Sequence, residues 1–205
     1  MEAKPAMKRR RLDFSDTILI HAGEASKAFM IHKAVATKSS KLLHSLVSDD
    51  LESAREKGIV LRDISADAFE GYLHWLYTSE VLPQEDNTCF FELVELCIAG
   101  ETLQDDAFCV DVLEGIVAMH KQTKTVPGWN AVQLAWERSL ASSPLRRSIM
   151  DIWGEVPLSW SLDTLKKEHG YPREFVIDLF QEWAERCAKK GVLSTDSVGD
   201  PQGES

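Results

Sequence analysis

The sequence has little of what secreted and membrane proteins depend on. It has four cysteines, and three of them fall in predicted helices on or near the apolar face, where a free cysteine acts as a small hydrophobic side chain. The cysteines are Cys89, Cys97, Cys109 and Cys187. No apolar run is long enough to span a bilayer, and no apolar core follows the basic start as it would in a signal peptide. We therefore expect free thiols and a location in the cytoplasm, the nucleus or both.

Basic residues are concentrated at the N-terminus. The formal net charge is −10. Residues 1–13 carry five basic and two acidic side chains, or +3, so the rest of the chain carries −13. Because phosphate binding needs clustered lysine and arginine, the acidic body argues against a nucleic-acid surface. It suits a soluble protein that binds other proteins.

Sequence motifs for catalysis and metal binding are also missing. There is no Gly-x-Ser-x-Gly elbow, no phosphate-binding loop, no His-Glu-x-x-His helix and no zinc-finger spacing of cysteine and histidine. Three histidines, His21, His32 and His44, fall close together, but no cysteine or carboxylate stands near them at ligand spacing. We predict no enzyme activity, no cofactor and no metal, and we expect most of the six tryptophans to be core residues instead of a ligand-binding box.

The first half of the chain predicts an α+β fold with the order β-β-α…β-α. Ile18, Leu19 and Ile20 stand together, which favours a strand covered on both faces. The next strand alternates, with Phe29 and Ile31 on one face and Ala28 and Met30 on the other. A third strand over 59–61 leads to a helix in which Ser65 is a candidate N-cap. The apolar stripe of that helix consists of Phe69, Tyr72, Leu73 and Leu76. Trp75 lies off this stripe and is expected to face the C-terminal helices.

The polar stretch that ends in Pro127-Gly128 is the best domain boundary. Beyond it, apolar residues recur at helical spacing, which predicts an all-helical C-terminal lobe. The predicted divisions are a disordered basic tail over 1–14, a mixed domain over 15–123, a helical extension over 124–193 and a disordered tail over 194–205.

The residues at the joints of the first half resemble those of a BTB/POZ domain. In that family an aspartate opens the first strand, a His-Lys pair begins the first helix, and a phenylalanine shortly before the pair packs in the core. A later strand ends in aspartate and leads to a helix that closes in Leu-Tyr-Thr-Gly. The matching residues are Asp16, Phe29, His32, Lys33, Asp63, Phe69, Leu76, Tyr77 and Thr78. Ser79 replaces the glycine. The resemblance covers roughly 15–123, and the remaining helices look like the extensions of stand-alone BTB proteins of filamentous fungi.

The resemblance implies a protein-interaction module, an adaptor or a scaffold. Adaptor BTB domains present a hydrophobic-x-acidic motif to cullin-3 of ubiquitin ligase complexes, and the aligned triplet here is Leu51-Glu52-Ser53. A hydroxyl therefore replaces the expected carboxylate, which weakens the motif because a carboxylate makes stronger charge-assisted hydrogen bonds. The candidate partner surface consists of Leu46, Leu51 and Glu52. The resemblance implies no direct nucleic-acid partner and no membrane partner.

The family suggests two possible roles for Asp16 and Lys33. In transcription-factor BTB dimers they would line a charged pocket, and otherwise they form a plain intramolecular ion pair, which we favour. The resemblance implies that His32, Phe69 and Tyr77 belong to the same pocket or have structural roles. Strongly dimeric members carry an exchanged helix and strand upstream, whereas residues 1–15 show no amphipathic pattern. Self-association is therefore left open.

The basic run Lys8, Arg9, Arg10 and Arg11 is a candidate nuclear localisation signal. The alternative is a solvated tail. If the run directs import, the protein fits a second function, a nuclear transcription co-regulator that recruits partners without a DNA-binding domain of its own.

Overall fold

The computed structural model describes residues 15–49, 51–81, 89–167 and 170–189. The chain divides into two compact units between Thr125 and Val126. We call the two parts the N-terminal unit and the C-terminal unit. The division falls two residues after the predicted boundary between 123 and 124. The predicted domain limits stay a prediction. The two predicted tails and the basic run at 8–11 lie outside the described residues.

The N-terminal unit contains three strands and six helices among its described residues. The strands are β1 (Thr17–Ala22), β2 (Lys27–His32) and β3 (Ile59–Leu61). The helices are α1 (Lys33–Ser39), α2 (Lys41–Asp49), α3 (Leu51–Glu56), α4 (Ala66–Thr78), α5 (Phe90–Leu103) and α6 (Asp106–Thr123). This is the α+β architecture that the sequence predicts.

The sheet has the strand order β2-β1-β3. β1 runs antiparallel to β2, with Ile18 opposite Ile31, and parallel to β3, with Ile20 opposite Ile59. Gly58 precedes β3 with a φ of +78°, and a Cβ there would lie 2.8 Å from the His21 ring. Only glycine adopts this conformation without strain, so Gly58 fixes the entry into the third strand.

The prediction that β1 is covered on both faces holds fully for one face and only partly for the other. Ile18, Ile20 and Ala22 are buried, whereas Leu19 and His21 on the other face are only half-buried. The predicted alternation in β2 is confirmed, since Ile31 is buried and Met30 is 76% exposed. The two faces of the sheet are therefore covered to different extents.

Helix α4 provides the centre of the core. The Ser65 side chain accepts a hydrogen bond from the Ala68 N–H at 3.1 Å and caps the helix, as predicted. Phe69, Tyr72 and Trp75 are buried, while Leu73 and Leu76 are half-buried. Trp75 contacts Phe108 at 5.0 Å between ring centroids, and its indole N–H donates to Asp111 at 2.7 Å. The expectation that Trp75 lies off the buried stripe is wrong, because its partners are on α6.

The C-terminal unit is helical throughout its regular elements, as predicted. Its helices are α7 (Trp129–Arg138), α8 (Pro144–Glu155), α9 (Leu158–Lys167) and α10 (Arg173–Lys189). Trp153 is fully buried and contacts Phe175 and Tyr171 at 5.4 Å between ring centroids. Four of the six tryptophans are buried and two are partly exposed, so packing accounts for most of them. Across the described ranges no helix combines the length and apolar character needed to cross a membrane.

Candidate protein-interaction surface

The joint between β2 and α1 is held by His32 and Tyr77. His32 is the residue before the first turn of α1, and its Nδ1 lies 2.8 Å from the Tyr77 hydroxyl. The His32 backbone N–H also donates to that hydroxyl at 3.3 Å. Tyr77 belongs to the last turn of α4. The pair therefore fastens the end of α4 to the point where the strand becomes a helix, which fits the structural roles suggested for both residues.

Asp16 and Lys33 form an ion pair within the chain. Lys33 Nζ lies 3.6 Å from Asp16 Oδ2, and the Lys33 N–H donates to the Asp16 carbonyl at 2.8 Å. Both side chains are partly exposed, and such pairs contribute at most about 1 kcal/mol. The geometry accords with the plain ion pair. A role for the Asp16–Lys33 pair in a charged pocket stays a prediction.

Phe69 is a core residue and is unavailable to a partner. It is fully buried, and its ring meets Phe29 edge to face at a centroid distance of 5.2 Å. The family's two aromatic positions therefore contact each other and join β2 to α4.

The candidate partner surface lies on the short helices α2 and α3. Leu46 of α2 is 37% exposed, although Leu43 and Val47 on the same helix are buried. Glu52 of α3 is exposed, and Ala54 two residues later is buried. The side chains of Leu51 and Ser53 lie outside the described residues. The structure thus presents Leu46 and Glu52 to solvent on consecutive helices.

Sequence reasoning missed a buried carboxylate, Asp105, whose partner Ser39 ends the helix before α2. Asp105 is 1% exposed and precedes α6. It accepts hydrogen bonds from Ser39 Oγ at 2.6 Å, from Tyr72 Oη at 2.8 Å and from the Phe108 N–H at 3.2 Å. The last contact is an N-cap that an aspartate before an apolar helix could have signalled. The partners at positions 39 and 72 are distant in sequence and left no such signal.

This environment changes the acidity of Tyr72. Burial raises the pKa of the Tyr72 hydroxyl far above its ordinary value, and the charge of Asp105 raises it further. Tyr72 therefore remains a hydrogen-bond donor to Asp105 over the whole physiological pH range.

The Cys97 side chain is buried, and the Cys109 thiol lies 3.9 Å from the Cys97 carbonyl oxygen. The hydrogen bond with Cys109, together with burial, raises the pKa of the Cys97 thiol, and a buried neutral thiol is a poor nucleophile. Within the part of the chain that the structure describes, no three histidine, cysteine, aspartate or glutamate residues are grouped to hold a metal ion. His21 contacts the Ser26 carbonyl, His32 contacts Tyr77, and His44 is exposed.

Comparison with known proteins agrees with this fold. A family model described as BTB/POZ domain matches residues 6–96. Kelch-like protein 40 of Xenopus laevis is 33% identical over 75 residues, which are 37% of this chain and 12% of that protein. The chain thus corresponds to a small part of that relative. BTB/POZ domains mediate interactions between proteins. The three-stranded sheet, the His32–Tyr77 joint and this match agree that the N-terminal unit is similar to a BTB/POZ domain over residues 6–96.

Proposed function

We propose that this protein is an adaptor or scaffold that binds a protein partner through α2 and α3 and catalyses no reaction. The observation that carries the proposal is the exposure of Leu46 on α2, 37% of its surface, together with the exposure of Glu52 on the next helix, α3. An apolar anchor surrounded by polar groups is the usual arrangement of a protein-binding hot spot. The preferred partner is cullin-3, and the protein would then act as a substrate adaptor of a ubiquitin ligase.

The motif at Leu51-Glu52-Ser53 sets how strong this interaction is. Glu52 stands one position before the expected carboxylate, and Ser53 supplies only a hydroxyl. A neutral hydroxyl forms weaker hydrogen bonds than a carboxylate does. We therefore propose weaker cullin binding than a motif with a carboxylate at position 53 would give.

The C-terminal unit would hold the recruited protein. Several large apolar side chains on α9 and α10 are partly exposed. They are Leu158, Trp160, Ile177 and Phe180. Aromatic side chains such as Trp160 and Phe180 are enriched among interface residues. A surface separate from α2 and α3 would let one molecule hold two partners at once.

Pull-down from cells with mass spectrometry tests the proposal. The wild-type chain is compared with Leu51→Asp, which places a charge in the apolar position of the motif. Met30→Asp is the control, because Met30 is exposed on the sheet far from the motif in sequence. Recovery of a cullin with the wild type and with Met30→Asp, and its loss with Leu51→Asp, would support the adaptor function. Absence of any cullin from the wild-type sample would remove it.

The basic run favours a second candidate, a nuclear transcription co-regulator. Lys8 to Arg11 are four consecutive basic residues in an acidic protein. Replacing Arg9, Arg10 and Arg11 with alanine should move a tagged protein from the nucleus to the cytoplasm. An unchanged distribution would leave the co-regulator function without its support.

A further inference from the structure

Polar side chains fasten the first turn of α2 to the turn between α5 and α6. Ser40 Oγ donates to the Leu103 carbonyl at 2.7 Å and accepts from the Leu43 N–H at 3.0 Å. Lys41 Nζ lies 2.5 Å from Asp106 on the solvent side. Ser40 is buried, so both of its hydrogen bonds are protected from water. The N-terminus of α2 is therefore held at a defined position against α5 and α6.

Asp105 is the centre of this attachment. Its three donors come from α1, through Ser39, from α4, through Tyr72, and from the first turn of α6. Ser39 is the last residue of α1 and directly precedes Ser40. Because a buried acceptor that loses a donor is costly, the geometry of such a network is sharply defined. Asp105 thus fixes the short connection from which α2 begins.

The rotation of α2 decides how much of Leu46 a partner can reach. Successive helix positions differ by about 100°, so Leu46 lies about 60° from Leu43 and about 100° from Val47. Leu43 and Val47 are buried, which puts Leu46 at the edge of the buried face with 37% of its surface exposed. A modest rotation of α2 in one direction would bury Leu46. A rotation in the other direction would expose it further and move it away from the buried face that holds Leu43 and Val47.

We propose that Asp105 and Ser39 are positioning residues for the partner surface. Through the Ser39–Asp105 hydrogen bond they fix the rotation of α2 and so the presentation of Leu46. The effect on affinity rests on the adaptor function proposed above, whereas the effect on α2 does not depend on any partner.

The test compares Asp105→Asn and Ser39→Ala with a matched control, Asp111→Asn. Asp111 lies on α6 and accepts a partly buried hydrogen bond from the indole N–H of Trp75 on α4. It therefore matches Asp105 in chemistry, and its donor is not on α1. Hydrogen exchange of the α2 amides is measured on the full-length protein without partner, and affinity is measured with purified cullin-3. We expect faster α2 exchange and about tenfold weaker binding for both variants, a loss comparable to that of one buried hydrogen bond. We expect neither effect for Asp111→Asn.

Ser39→Thr provides the rescue, because it keeps the hydroxyl that Asp105 accepts from. It should restore the exchange rates and the affinity that Ser39→Ala loses. Equal α2 exchange in Ser39→Ala and the wild type would overturn the positioning role. Failure of the wild type to bind cullin-3 would instead remove the adaptor function, and the exchange data would still decide whether Asp105 orders α2.

Discussion

At the scale of single residues, the contact between Tyr72 and Asp105 is the most informative one in the N-terminal unit. The Tyr72 ring packs against Phe108 at 4.9 Å, and its hydroxyl reaches Asp105 at 2.8 Å. Tyr72 therefore combines a ring packed in the apolar core with a hydroxyl that donates a hydrogen bond to Asp105. Removing that donor leaves a buried carboxylate with one partner fewer.

Tyr72→Phe should lower the free energy of unfolding by about 1 to 2 kcal/mol, the usual cost of a buried acceptor that loses a donor. Tyr77→Phe is the comparison, because it also removes a hydroxyl with hydrogen-bond partners, the His32 N–H and Nδ1, but at a half-exposed site where water can replace it. Its cost should be about 0.5 kcal/mol, the low end for an intramolecular hydrogen bond. Urea unfolding followed by circular dichroism measures both values. Equal losses in the two variants would contradict the assigned importance of the Tyr72–Asp105 bond.

The raised pKa of Tyr72 predicts a loss of stability in alkali. The folded protein holds the Tyr72 proton more tightly than the unfolded chain does. The stabilisation is therefore complete below about pH 10, the ordinary pKa of tyrosine, and declines as the pH rises above it. Unfolding free energies measured on either side of pH 10 should fall more steeply for the wild type than for Tyr72→Phe. Parallel pH profiles would show that Tyr72 is not the group responsible.

At the scale of elements, the close approach of α5 to α6 depends on Gly100. A Cβ at this position would lie 2.7 Å from Cys109 Sγ and 2.9 Å from Phe108 Cδ1. Gly115 on α6 is different, because the nearest atom to a Cβ there is 3.8 Å away. The two glycines thus give a matched pair within one helical hairpin.

Gly100→Ala should destabilise the protein by about 1 to 3 kcal/mol, as overpacking does. Gly115→Ala should be neutral or stabilising by up to about 1 kcal/mol, because alanine is the better helix former. Thermal unfolding of the two variants measures the difference. Stabilisation by Gly100→Ala would mean that the two helices pack less closely than the structure indicates.

The sequence predicted the positions of helices and strands better than the burial and contacts of their side chains. Alternation in β2 and the Ser65 cap are local patterns, so both were predicted correctly. The half-exposed face of β1 and the inward position of Trp75 depend on which elements pack against them, which periodicity does not contain. Asp105 was missed for the same reason, because its donors Ser39 and Tyr72 are 66 and 33 positions away.

At the scale of the whole molecule, the described structure is a mixed sheet-and-helix unit followed by a helical unit. The resemblance to a BTB/POZ domain was predictable from a set of residues at element joints, and the family model confirms it. The proposed partner surface was predictable only as a position in the sequence. The structure adds that Leu46 is available at the edge of a buried helix face and that polar groups hold that helix in place.

Direct binding of purified cullin-3, measured by titration calorimetry, tests the central claim that α2 and α3 form a partner surface. We expect saturable binding by the wild type and by Met30→Asp, and affinity weakened at least about tenfold by Leu46→Asp, as for a central interface anchor. Circular dichroism of each variant would establish that it is folded. Absence of binding by the folded wild type, or equal binding by Leu46→Asp, would contradict the claim.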